Sequence, residues 1–211
     1  IATIDIIPVD LNCLLYTLEQ TISSIYNLKS DSINAKLFEN KATKRSESIL
    51  KYFWNEDQGY FFDYNYMTST QTTVISLAGL FPLFIGICPP NLSNKAINFA
   101  IDHLMKDGGL ATTNIFSGQQ WDAPNGWAPL QWISFIAMKN YHHDDEAKNL
   151  ANKWISLNDR VFKNTGKMME KYNVENTSIE SGGGEYPVQD GFGWTNGVYL
   201  ALKRALRNEE M

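Results

Sequence analysis

Gly126-Trp127-Ala128-Pro129-Leu130-Gln131-Trp132-Ile133-Ser134-Phe135-Ile136-Ala137-Met138-Lys139-Asn140-Tyr141 reads as a helix over 126–141. After His142-His143, residues 144–162 read as a second, more exposed and amphipathic helix. The same pairing occurs upstream. A mostly apolar helix over 72–87, buried on most sides, precedes an amphipathic one over 91–105 that stops at Asp107-Gly108-Gly109. Apolar helices alternating with amphipathic ones suit an inner ring of helices covered by an outer ring.

Three more helices flank these pairs. Residues 10–28 carry Leu11, Leu14, Leu15, Leu18, Ile22 and Ile25 at helical spacing, after Pro8 and with Asp10 as a candidate cap. Ser30-Asp31-Ser32 opens a helix running to about residue 53, with Ile33, Leu37, Ile49 and Leu50 on its apolar side. Residues 193–207 form the last. Residues 55–66, rich in Asp, Gly and aromatics, read as a loop or short hairpin, and 171–186 as a loop containing Gly182-Gly183-Gly184. The expected class is all-α, with about seven helices, little strand and no fixed-length repeat.

A length of 211 residues suits one domain with a sizeable core. A net charge of −5 argues against nucleic acid as the main partner, since phosphate binding needs a basic face. The richest positive stretch, 41–51, also carries Glu47 and reads as a solvated helix face. No membrane partner is expected, because the most hydrophobic stretch, 77–89, is interrupted by Pro82 and ended by Pro89-Pro90. Cys13 and Cys88 lie in apolar contexts and read as buried free thiols. No disulfide framework, metal cluster or other cofactor site is legible. His103, His142 and His143 lack ligand spacing, and no Ser, Cys or His sits in a nucleophile-elbow context. The glycine run is not a phosphate loop, since no Lys-Ser/Thr follows it.

The segment Gln119-Gln120-Trp121-Asp122-Ala123-Pro124-Asn125-Gly126-Trp127-Ala128-Pro129-Leu130-Gln131-Trp132 concentrates tryptophan, amide and carboxylate groups. Rings can cover the C–H faces of a pyranose while polar groups bind its hydroxyls, so the segment reads as a sugar site. Core packing of the tryptophans is the structural alternative. Asp63, Asp122, Glu170, Glu185 and Asp190 are set among glycines and aromatics. Glycoside hydrolysis uses two carboxyl groups across the scissile bond, but the pattern does not choose the pair. Each of the five reads equally as a helix cap or loop hydrogen-bond acceptor.

These motifs resemble those of the trehalases, inverting glycosidases that split α,α-trehalose into two glucoses. The Q-W-D-x-P-x-G-W-x-P spelling of Gln120–Pro129 is similar to their second signature. Residues 182–198, beginning Gly182-Gly183-Gly184-Glu185-Tyr186-Pro187, resemble their glycine-rich lid and the helix start after it. Ile7-Pro8-Val9-Asp10-Leu11-Asn12, Gly108-Gly109-Leu110 and Glu170-Lys171-Tyr172 also look like family segments, so the likeness covers nearly the whole chain.

The resemblance implies an (α/α)6 toroid, of which about seven helices would make an incomplete arc exposing an inner apolar wall. It implies Glu170 as general base and Glu185 as a substrate contact. Trp121 and Trp127 become expected ring-facing walls, with Gln120, Asp122, Asn125 and Tyr186 as further substrate-binding residues or, for Gln120, Asp122 and Asn125, loop braces. The glycines between Glu170 and Glu185 would let that loop hinge. The implied ligands are trehalose and glucose, without a metal. In the family the catalytic acid lies in a G-W-D-type motif N-terminal to the P-V-D-L-N segment, with arginine-rich contacts further upstream. No G-W-D occurs here, and Arg45, Arg160, Arg204 and Arg207 lie in no matching motif. The chain opens at Ile1 in mid-pattern, so 1–211 is expected to be the C-terminal part of a catalytic domain, inactive without its N-terminal part. Another (α/α)6 glycosidase, or a non-catalytic carbohydrate-binding or interaction module, remains the alternative. Localisation, cytoplasmic or periplasmic/secreted, is not legible.

Overall fold

The computed structural model describes residues 3–180 and 183–209. Its helices are α1 (Val9–Leu28), α2 (Ser32–Tyr52), α3 (Phe81–Phe84), α4 (Pro90–Leu104), α5 (Ala128–Asn140), α6 (Asp144–Thr165) and α7 (Gly193–Glu209), with 3-10 turns at Thr3–Asp5 and Leu77–Leu80. Strands of two or three residues fill the connections: β1 (Ile6–Ile7), β2 (Trp54–Asn55), β3 (Tyr60–Phe61), β4 (Tyr64–Asn65), β5 (Thr70–Gln71), β6 (Met105–Lys106), β7 (Gly109–Leu110), β8 (Asn125–Trp127) and β9 (Lys171–Asn173). They pair antiparallel as β1-β4-β5, β2-β3, β6-β7 and β8-β9.

The helices form two curved rows. α1 packs on α3, α3 on α5, and α5 on α7, giving the inner row. α2 covers α1, α4 covers the Leu77–Leu80 turn, and α6 spans α5 and α7 from outside. Burial follows this layering. α5 buries Ala128, Gln131, Ser134, Phe135, Ala137 and Met138, and Leu130, Trp132, Ile133 and Ile136 are partly buried around them. α6 buries one stripe, including Ala147, Leu150, Trp154 and Val161, and leaves the rest to solvent. This is the alternation of an (α/α)6 toroid, of which the described residues form an arc. No helix among them is long and apolar enough to cross a membrane.

Local chemistry sets the helix ends. The Asp31 side chain accepts from the Asn34 backbone N–H at 3.1 Å and caps α2. Asp144, Asp145 and Glu146 occupy the first turn of α6, where the partial positive charge of the helix favours carboxylates. Gly166, at φ +69°, ends α6 in the left-handed conformation, its N–H bonded to the Phe162 carbonyl at 2.7 Å. At α1 the expected cap is corrected. Pro8 is the N-cap residue, and Asp63, from the distant β3–β4 connection, accepts from the Val9 N–H at 2.8 Å. Asp10 instead accepts from the Leu11 N–H within the first turn.

The expected helix over 72–87 is also corrected, because only residues 77–84 coil, as a 3-10 turn followed by the short α3. Ser76 is held extended by a bridge to Thr113, and its carbonyl accepts from the Tyr60 hydroxyl at 2.8 Å. Gly79 approaches so closely that a Cβ there would lie 2.4 Å from the Tyr60 ring and 2.5 Å from the Phe61 carbonyl oxygen. Residues 55–66 do contain most of the short hairpin β2-β3, in which Trp54 lies opposite Phe61.

One edge of the arc carries an apolar stripe. Leu11, Leu14, Leu18 and Ile25 lie at helical spacing along α1, each about half-exposed.

Candidate active site

The tryptophan segment and the Glu170 segment meet through β8 and β9. Their register sets Asn125 opposite Asn173, Gly126 opposite Tyr172, and Trp127 opposite Lys171. A side chain on Gly126 would strike Val174 at 2.5 Å, so the close strand approach requires glycine. β8 runs directly into α5, and α7 begins just beyond the 183–192 loop, so the cluster sits at the N-terminal ends of two inner helices.

Glu170 immediately precedes β9 and is only 4% exposed. Its Oε1 accepts from the Tyr186 hydroxyl at 3.0 Å, and its Oε2 from the Lys171 ammonium at 3.2 Å. The backbone is pinned equally well. The Glu170 N–H donates to the Gln189 carbonyl at 2.9 Å, and the Glu170 carbonyl accepts from Trp194 Nε1 at 3.3 Å. Thr195, in the first turn of α7, donates its hydroxyl to the Met169 carbonyl at 2.7 Å. A buried carboxylate with two different side-chain donors has a fixed orientation.

Beside it stands an aromatic stack. Trp121 lies flat on Trp127 with ring centroids 3.9 Å apart and planes 5° apart. Trp194 meets both edge-on, at 6.5 and 5.7 Å. Trp127 is fully buried, covered by Trp121 and by the Lys171 ammonium 5.5 Å from its centroid. Trp121 is therefore the member of the stacked pair that faces solvent. Trp127 Nε1 donates to the Gln120 carbonyl at 3.0 Å, which also accepts from Asn125 Nδ2 at 3.2 Å.

The 183–186 segment lies against this cluster; Gly182 of the glycine run lies outside the described residues. Asn125 Nδ2 donates to the Gly183 carbonyl at 2.9 Å. Gly184, at φ +149°, leaves the room in which a Cβ would come within 2.4 Å of Gln120 Oε1. Tyr186 is half-exposed and spans Glu170 and Lys171, its ring 4.7 Å from the ammonium. The Tyr186 phenol titrates above its ordinary range, first because it donates to Glu170 and further through the nearby charges of Glu170 and Glu185. It therefore remains a neutral donor at physiological pH.

The structure thus brings Gln120, Trp121, Asn125, Trp127, Glu170 and Tyr186 into one cluster. Gln120 and Asn125 are buried, and the Gln120 amide atoms and Asn125 Oδ1 have no hydrogen-bond partner among the described residues. Such groups are costly unless something polar meets them. Asp122 points elsewhere: Thr113 donates to its Oδ1 at 2.9 Å and the Ser117 hydroxyl to its Oδ2, so it braces its own loop. Glu185 is exposed and hydrogen-bonds to no described residue. Asp190 pairs with Lys167, and Asp63 serves α1. Sequence reasoning passed over Lys171 within its motif and did not single out Trp194 or Thr195. The legible signal was a lysine directly between a carboxylate and a tyrosine.

A separate cavity of about 820 Å³ lies between α1, α2 and β4. Its Arg45 donates to both Glu19 oxygens and to Asn12 at 2.8 to 2.9 Å. Among the described residues it presents no free acid–base pair comparable to the Glu170 cluster.

Residues 1–206 match the family model described as Trehalase. The periplasmic trehalase of Salmonella agona (strain SL483) is 41% identical over 202 residues, covering 96% of this chain and 35% of its own length. That of Citrobacter koseri is 40% identical over the same span. Among solved structures, the neutral trehalase Nth1 from Saccharomyces cerevisiae superposes with a TM-score of 0.81 at 28% identity, over 95% of this chain and 38% of its own. A GH63 mannosylglycerate hydrolase from Thermus thermophilus shares the fold, with a TM-score of 0.73 at 18% identity, over 95% of this chain and 48% of its own. The chain spans about 35% of the length of the curated relatives it matches. It belongs to the trehalase family.

Proposed function

We propose that this chain supplies the general base and one aromatic wall of an inverting α,α-trehalase site. The observation that carries the reading is Glu170, a buried carboxylate held by two side-chain donors beside an exposed tryptophan face. In the reaction, Glu170 takes a proton from water as that water attacks the anomeric carbon. The glycosidic C–O bond breaks, and a carboxylic acid on the opposite side of the bond protonates the leaving oxygen. The family resemblance assigns that acid to sequence outside these 211 residues.

Trp121 offers its free face to the C–H side of a glucose ring. The Gln120 amide and the Asn125 Oδ1, which have no partner among the described residues, are suited to sugar hydroxyls. Glu185, free of other hydrogen bonds among the described residues and one residue from Tyr186, is suited to reach substrate when the 183–186 segment moves. The trehalase N-terminal part is the expected partner, and the half-exposed leucines of α1 are the surface it would cover.

The test is Glu170→Gln in the full-length protein. The base role requires kcat for trehalose to fall by about 10²–10⁴-fold. A retained kcat removes Glu170 from the chemistry. The 211 residues alone should not turn over trehalose, and normal turnover by them would refute the split of acid and base.

A further inference from the structure

Lys171 is fully buried, and the reading of Glu170 as base does not by itself explain it. A buried ammonium is costly unless paired, and lysine is among the residues least often found inside. Its Nζ has Glu170 Oε2 at 3.2 Å and the rings of Trp127 and Tyr186 at 5.5 and 4.7 Å from their centroids. The charge is thus enclosed by one carboxylate oxygen and two π faces, an arrangement that favours a cation.

The three contacts belong to three parts of the site. Trp127 is the cross-strand neighbour on β8, Glu170 is the residue before β9, and Tyr186 lies on the glycine-bearing loop. Tyr186 touches both ends of the pair, covering the ammonium with its ring and donating its hydroxyl to Glu170 Oε1. The two carboxylate oxygens are therefore unequal. Oε2 is held by a group locked in the core. Oε1 is held by a half-exposed side chain on the exposed 183–186 segment.

We propose that Lys171 is the positioning residue of this site: it anchors Glu170 Oε2 and leaves Oε1 as the oxygen that receives the proton of the attacking water. The Tyr186 hydroxyl marks a donor position on Oε1 that this water takes once the loop shifts. The inference rests on Glu170 being the base. Misplacing a catalytic group by about 1 Å can cost on the order of 10²-fold, so Lys171 acts on kcat through Glu170 without touching substrate.

The test compares Lys171→Met and Lys171→Arg with Glu170→Gln in the full-length protein, with trehalose as substrate and thermal unfolding to confirm folding. Lys171→Met, close in shape but neutral, should lower kcat about 100-fold with KM within about threefold. Lys171→Arg, which keeps the charge, should recover at least about tenfold of that loss. A Lys171→Met enzyme with wild-type kcat, or equal losses in both variants, overturns the proposal. If Lys171→Met does not fold, Lys171→Arg decides: a lower kcat at constant KM supports anchoring, and an altered KM at constant kcat overturns it. Retained kcat in Glu170→Gln defeats the base reading itself. Lost kcat there, with Lys171→Met unaffected, defeats only the role of Lys171.

Discussion

Trp121 and Trp127 lie in parallel contact 3.9 Å apart, yet only Trp121 meets solvent, at 47% exposure against 1%. Two rings with one geometry therefore have different tasks. Trp127 supports the floor: it covers Lys171, donates to the Gln120 carbonyl and packs edge-on to Trp194. Trp127→Ala should destabilise the fold by about 3–5 kcal/mol, the cost of removing a large buried ring. Trp121→Ala should cost only about 0.5–1.5 kcal/mol in lost stacking, while in the full-length protein it should raise KM for trehalose, as the proposed sugar-facing role of this ring requires. Urea unfolding with steady-state kinetics separates them. Equal stability losses would contradict this division.

The parts of the fold that were legible in sequence are those whose burial is one-sided. α6 buries a regular stripe that includes Leu150, Trp154 and Val161, and it falls where the pattern set it. Within 72–87 the coiled part, residues 77–84, is buried or partly buried throughout, and such an apolar run has no period to distinguish helix from turn. What stops a helix there lies far away in sequence: the bridge from Thr113 to Ser76 and the Tyr60 ring against Gly79. The site divides in the same way. The tryptophan segment stood out by composition, and Glu170 was one of five candidate carboxylates that only the family resemblance told apart, whereas Lys171 was not singled out. Its significance arises from cross-strand register with Trp127 and from a loop that returns Tyr186, neither of which is a local property.

Gly184 sets how closely the 183–186 segment can sit on Gln120. At φ +149° any side chain here is strained, and a Cβ 2.4 Å from Gln120 Oε1 would also force that amide to shift. Gly184→Ala should lift the segment and loosen the Tyr186 contact with Glu170. Because the segment is exposed, global stability should change by less than about 1 kcal/mol. Limited proteolysis around 183–190 should quicken several-fold at constant unfolding midpoint. An unchanged cleavage rate would mean that Gly184 does not hold the loop.

Alkaline pH should weaken the fold through groups that are buried in neutral form. Burial pushes the Cys88 thiol up to about 12 and raises Cys13 further, with the charge of Asp10 adding to the effect. Burial likewise moves Tyr172 and Tyr141 to about 12 and raises Tyr60. In each case the folded value exceeds the unfolded one, near 9.0 for cysteine and 10.0 for tyrosine. Above those values the unfolded chain has released protons that the folded chain still binds, so the slope of stability with pH is negative. Their contribution is complete below pH ~9 and declines as pH rises, first through the thiols and then through the phenols. Urea midpoints measured from pH ~8 to ~11 should fall steadily above ~9, and Cys88→Ser, which cannot ionise in this range, should flatten the first part of the decline. At pH ~8 a thiol reagent should label neither cysteine until the protein unfolds, since the reactive species is the thiolate. Prompt labelling of Cys88 in the folded protein would contradict its burial beneath Tyr141, whose hydroxyl is fastened to the Cys88 carbonyl at 2.7 Å.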